Sequence, residues 1–158
     1  MKKSKKDLIR EIAKLYNIKI YFNSSLKNES ASSFQEIEIG EYESEDCMLV
    51  DFFHELAHLT FDKYINIKNS RFGKTVGKNF LYFSNLSHEA LMWEIGFRLA
   101  SRFGYEWDYR DDVYRHAYKH LLTYVLSEYD DYLIDENAIK LIEDNIFKHI
   151  KRSLRNDY

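Results

Sequence analysis

The sequence predicts an α+β domain, mostly helical with a small sheet of two or three strands, and three observations point to it. The 158 residues include no proline and only 5 glycines, so long stretches carry no helix breaker. Several of these stretches place apolar residues three and four positions apart, the period of an amphipathic helix. Two short segments near the N-terminus are instead β-branched or aromatic, or alternate with a period of two. A chain of this length is one domain and buries roughly 70% of the surface exposed by its unfolded form, so it can hold a core without disulfide support.

The elements follow in order. Residues 4–16 carry Leu8, Ile9, Ile12, Ala13 and Leu15 between charges and predict a short amphipathic helix. Ile18 to Phe22 reads as a strand. The polar tract that follows, Asn23 to Ser33, reads as a mobile loop, and Phe34 to Ile39 alternates as a second strand, an edge strand. Glu41, Glu43, Glu45 and Asp46 then precede an apolar helix over about 48–64, where negative charge near the helix start is favourable. Residues 66–84 turn polar and read as a loop, closing on the apolar run 80–83, a candidate third strand. A second strong helix runs from an N-cap at Ser87 to Phe103 and stops near Gly104. Two further helices, about 111–129 and 136–154, complete one domain over 1–158, with a core at 18–104 and C-terminal helices within 108–155.

Composition narrows the function. Lysine and arginine number 23 against 26 acidic residues, a net charge of -3, so no basic excess supports direct nucleic-acid binding. No run of 18 apolar residues predicts a membrane span, and the charged start Met1-Lys-Lys-Ser-Lys-Lys is not followed by the apolar segment of an export signal. The single cysteine, Cys47, has no internal partner and reads as a small buried hydrophobe in a reducing, cytoplasmic setting.

The first strong helix contains His54-Glu55-Leu56-Ala57-His58, an H-E-x-x-H motif. Residues i and i+4 share a helix face with Cβ atoms roughly 5–6 Å apart, so His54 and His58 can reach one Zn²⁺ at about 2.0–2.1 Å. Glu55 then flanks the ion as general base and later acid, because a zinc-bound water loses its proton near pH 7 to a carboxylate beside it. The surrounding sequence is strongly apolar, and two imidazoles and a carboxylate there need something to satisfy them.

A catalytic zinc takes a third protein ligand. Glu89, in the first turn of the second strong helix, is the leading candidate, with Glu94 and His88 as competitors. Gly96 and Ala100 on that helix, and Ala57 on the first, are small enough to let the two approach closely.

HELAH and the run Glu89-Ala-Leu-Met-Trp-Glu-Ile-Gly-Phe-Arg-Leu-Ala100 resemble the ImmA/IrrE-type zinc metallopeptidases of bacteria, phages and mobile elements, over about residues 18–104. Met92 and Trp93 depart from that pattern, which usually has a small residue and often an asparagine there. The resemblance implies a zincin-like fold, a glutamate opening the second helix as third ligand, which carries over to Glu89, and peptide-bond hydrolysis. It also implies a transcriptional repressor or similar regulator as substrate, supplied as a separate protein. The edge strand Phe34 to Ile39 offers such a substrate strand addition.

An oxyanion donor is expected near the metal. Tyr105 and Tyr109, just past the second helix, are candidates, and Asp51 or Asp62 can orient a ligand imidazole, although a solvated helix charge is the commoner role for each. His116 and His120 repeat the i, i+4 spacing and read as a surface face rather than a metal site. Gly73 to Asn79 lacks the spacing of a phosphate loop. The rival function is a non-catalytic regulatory or protein-binding module on the same scaffold, against which Glu55 argues, since purely structural zinc has no use for a carboxylate there. A zinc hydrolase acting on a non-peptide bond is the weaker third reading.

Overall fold

The computed structural model describes residues 3–61, 84–107 and 112–132, with the side chains of all but 84–87 and 125–132. The architecture is α+β: helices α1 (Lys5–Leu15), α2 (Glu45–Phe61), α3 (Ser84–Arg102) and α4 (Asp112–Tyr132), with strands β1 (Lys19–Lys27), β2 (Ser30–Ser33) and β3 (Glu36–Glu41) between the first two helices. The expected apolar run 80–83, the helix over 136–154, Tyr109 and Asp62 lie outside the described residues. No described helix is long and apolar enough to cross a membrane.

Local chemistry sets the helix ends. Ser4 caps α1 by accepting from the Asp7 amide at 3.2 Å. At its other end Asn17 takes a left-handed φ of 56° while the Ile18 and Asn17 amides reach back to the Ala13 and Lys14 carbonyls, a Schellman closure. Helix α3 closes in the same way at Gly104, φ 81°, with Tyr105 N donating to Ala100 O at 3.0 Å. Its start is earlier than expected: α3 begins at Ser84, so Ser87 lies inside the helix and Glu89 in its second turn.

The sheet corrects two expectations. β3 is the central strand, parallel to β1 (Ile20 opposite Ile37, Phe22 opposite Ile39) and antiparallel to β2 (Ser32 opposite Ile37, Ser30 opposite Ile39). The alternating segment is therefore not an edge, and Phe34 and Gln35 form the β2–β3 turn rather than its first residues. The edge beside α2 is β2, from the tract that reads as a mobile loop. Serine-rich Ser30–Ser33 carries no hydrophobic alternation, so its strand conformation comes from the β3 ladder and from tertiary hydrogen bonds of Ser30 and Ser32.

Helix α2 is the post of the molecule, and every residue from Cys47 to Ala57 is buried. Ser44 Oγ accepts from the Cys47 amide at 3.3 Å at its start. One side packs on Ile37 and Ile39 of the sheet, on Ile9 and Ile12 of α1 and on Met92 of α3 through Phe52, Phe53 and Leu56. The other side packs on α3 and α4 through Val50, Trp93, Phe97, Val113 and Ala117. Each such aliphatic or aromatic side chain contributes roughly 1.5–3 kcal/mol by leaving water. That tolerates a cluster of buried polar groups on one stretch of α2.

Candidate metal centre

The apolar surroundings of α2 hold its polar residues in a fixed place. His54 is fully enclosed, its ring stacked on Trp93 of α3 at 4.3 Å between centroids, and His58 lies one turn on. Gly96 lets α3 approach until an added Cβ would stand 3.0 Å from the His54 backbone nitrogen. With the helices that close, Glu89 reaches both imidazoles: Oε2 is 3.2 Å from His54 Nε2 and Oε1 is 3.4 Å from His58 Nε2. The two Nε2 atoms are themselves 3.3 Å apart.

These three separations test the fit of a metal. Four ligands at about 2.0–2.1 Å around a tetrahedral ion stand roughly 3.3–3.4 Å from one another. The two imidazole nitrogens already have that spacing, each with a different oxygen of Glu89 beside it, and with one donor atom per residue all three lie within 4.8 Å of one another, the grouping of histidine, cysteine and carboxylate side chains among the described residues that is compact enough for one ion. The donor chemistry agrees. Burial pushes His54 down to about 4, so its ring is neutral at neutral pH and offers a lone pair. Burial also works to raise Glu89, but the hydrogen bonds to His54 and His58 outweigh it and hold its carboxyl below the ordinary range, the anionic form a cation needs.

Glu55 stands beside this trio on the cavity wall. Its Oε2 accepts from Ser32 Oγ of the edge strand at 2.5 Å, and burial pushes its carboxyl up to about 7 against that hydrogen bond. A cavity of about 420 Å³ opens here between β2 and α4, lined among others by Ser32, His54, Glu55, His58, Glu89 and His120.

The competitors for third ligand fall elsewhere. Glu94 is buried in an ion pair with Arg98 at 2.6 Å, and His88 sets its ring edge-on to His58 at 5.4 Å, outside the compact trio. Cys47 belongs to the core cluster, away from the trio. Tyr105 does not line the cavity. It packs on Phe53 and Trp107, against the apolar cluster that α2 shares with the sheet and α1. Asp51 is not a solvated charge. It is buried and bonded to Tyr42 and His116.

The largest departure concerns α4. The face with His116 and His120 is not a surface face: both rings stand edge-on to Trp93, and His120 Nε2 lies 3.7 Å from Glu89 Oε2. Tyr124, one turn further, lines the cavity, and burial together with the adjacent Glu89 pushes its hydroxyl up to about 12. It is thus a hydrogen-bond donor at any ordinary pH. The signal was present as His116, His120 and Tyr124 at i, i+4 and i+8, one stripe of polar rings interleaved with the core residues Val113, Ala117 and Leu121.

No family model, curated protein or solved structure matches the chain.

Proposed function

We propose that the protein is a zinc-dependent endopeptidase with a zincin-like site, similar to the ImmA/IrrE type, acting on a separate protein, a transcriptional repressor or related regulator. The observation that carries this reading is the convergence of His54, His58 and Glu89, the two imidazole nitrogens 3.3 Å apart and each within 3.4 Å of a Glu89 oxygen, with the Glu55 carboxylate buried beside them. A zinc ion held there would supply Lewis acidity and a lowered pKa for water.

The chain's own groups do the rest. Ser32 holds one oxygen of Glu55, so the carboxylate faces the cavity in one orientation. Glu55 takes a proton from the attacking water and delivers it to the departing amine, while the hydroxyl adds to the carbonyl carbon and the C–N bond breaks. His120 and Tyr124 stand on the opposite wall, where N–H and O–H donors stabilise negative charge on the carbonyl oxygen. The edge of β2, unpaired among the described residues, offers backbone groups to an extended segment of substrate, replacing Phe34 to Ile39 in that role.

The experiment is metal analysis with cleavage of a candidate regulator by wild type and Glu55→Gln. One zinc per chain in both proteins, with cleavage in wild type alone, supports the peptidase. A Glu55→Gln protein that cleaves as fast as wild type overturns it.

A further inference from the structure

We propose that Asp51 is a positioning residue of the cleft: through His116 it fixes α4 about its axis, and thereby fixes where His120 and Tyr124 meet the substrate carbonyl. The consequence for turnover rests on the peptidase reading above, whereas the placement of the two rings does not.

A carboxylate only 3% exposed needs partners, and Asp51 finds them on two other elements. Its Oδ1 accepts from His116 Nε2 of α4 at 2.8 Å. Its Oδ2 accepts from the hydroxyl of Tyr42, just past β3, and that hydroxyl lies 2.7 Å from Ser30 Oγ on the edge strand. One side chain of the metal-bearing helix therefore ties both walls of the cleft, β2 and α4, to the helix between them.

The helical period turns this into a positioning device. Side chains four apart lie on nearly the same face, so a fixed His116 sets the direction of His120 one turn on and of Tyr124 two turns on. The contacts between α2 and α4 include apolar ones, Val50 against Val113, Ala117 and Leu121, and the edge of the His120 ring on that of His54 at 5.3 Å. Apolar packing is non-directional and leaves rotation about the α4 axis loosely specified. The directional bond from His116 to Asp51 narrows it, one turn before the point where His120 and Tyr124 approach Glu89. A network of this kind adds little stability over an apolar replacement, so its use lies in specificity of arrangement. His120 bears no hydrogen bond to Asp51 among those described, and since Asp51 also acts on it through its charge, the two His116 variants, which keep that charge, isolate the effect of placement.

The test uses the whole chain with Asp51→Asn, His116→Leu and His116→Gln, the last keeping an N–H at the end of the side chain. In the zinc-free protein, aromatic-ring NMR is expected to show the His120 and Tyr124 resonances displaced in Asp51→Asn and His116→Leu, and near their wild-type positions in His116→Gln. In the zinc-loaded protein, kcat falls about 10- to 100-fold for His116→Leu with KM within about twofold and zinc still bound, and His116→Gln recovers most of it. Combining His116→Leu with His120→Ala loses less than the product of the single effects. Should Asp51→Asn not fold, the two His116 variants carry the comparison. Ring resonances unmoved in folded His116→Leu, or losses that multiply in the double variant, overturn the proposal. A wild type that binds zinc and cleaves nothing overturns the peptidase reading alone, and the ring resonances still decide the placement.

Discussion

Gly96 of α3 packs directly on the backbone of His54 in α2, so close that a methyl group there would meet His54 N at 3.0 Å and His54 Cα at 3.1 Å. Glycine in a helix interior costs roughly 0.5–1 kcal/mol relative to alanine, so Gly96→Ala would stabilise α3 if the helix stood alone. Against the backbone of α2 the overpacking term, about 1–3 kcal/mol, is the larger. Gly96→Ala is therefore expected to lower the melting temperature and, by separating His54 from Glu89, to weaken zinc binding. A rise in melting temperature would show that the two helices do not need this approach.

Glu89 carries the only negative charge in the compact trio. Zinc at a hundred times its Kd stabilises a protein by about 2.7 kcal/mol, so wild type is expected to melt several degrees higher with zinc than after chelation. In Glu89→Ala that difference is expected to collapse, because two imidazoles with no carboxylate hold the ion weakly. Full zinc content after dialysis of Glu89→Ala would remove it from the ligand set. The parallel Glu94→Ala variant breaks only the Arg98 pair and keeps the zinc-dependent shift.

On the peptidase reading proposed above, His120 and Tyr124 are expected to act on turnover and not on metal content. Losing one oxyanion donor costs about 10²–10³ in kcat. His120→Ala and Tyr124→Phe are each expected to lower kcat by about that factor with zinc retained, while Tyr105→Phe, packed on Phe53 and outside the cavity lining, leaves it unchanged. Loss of zinc in His120→Ala would mean that this ring belongs to the ligand set itself.

What could be read in the chain before its structure divides along physical lines. The helices were legible from the spacing of Ile9, Ile12 and Ala13 or of Trp93, Gly96 and Ala100, and Gly104 as a stop, because these are short-range regularities. HELAH places its own two histidines on one face, so that half of the site needed no tertiary information. Glu89 required only the small residues that let two helices meet. β2 was not legible: Ser30 to Ser33 becomes a strand by pairing with β3 and bonding to Glu55 and Tyr42, none of which local composition encodes. The α4 stripe was misread for the same reason. A histidine is as suited to water as to a buried carboxylate, and Asp51, whose bond decides the matter for His116, lies 65 positions away.

Phe34 is 95% exposed and held at a φ of 54°, in the turn that joins the edge strand to β3. Its ring gains nothing from burial, and the left-handed region costs a non-glycine residue roughly 1–2 kcal/mol. Asparagine tolerates that region better. Phe34→Asn is expected to raise the stability by a few tenths to about 1 kcal/mol, read as a higher urea midpoint with an unchanged slope. A lower midpoint would show that the ring packs on something. Because Phe34 also lines the cavity that holds His54, Glu55, His58 and Glu89, the stabilised variant checks, under the proposed peptidase reading, whether the ring serves substrate binding, through KM.

Lys5 of α1 and Asp46 in the first turn of α2 form the ion pair that joins these two helices. Burial tends to raise the Asp46 carboxyl, but its hydrogen bonds to Lys5 and Trp107 and the charge of Lys5 outweigh this, and the net displacement is downward. A carboxyl whose folded pKa lies below its unfolded value binds fewer protons when folded. It therefore stabilises the fold above the unfolded value, near 4, and that contribution fades as the pH falls through the folded value. The melting temperature of wild type should then drop more steeply below about pH 4 than that of Asp46→Asn, which has no such proton to take up. The pair is partly exposed, with side chains 26% and 46% accessible, so the difference between the two proteins at neutral pH is within about 1 kcal/mol. High salt should narrow it further, since screening weakens the attraction of Lys5 for Asp46. Identical acid limbs for the two proteins would show that the pair contributes nothing to joining α1 and α2.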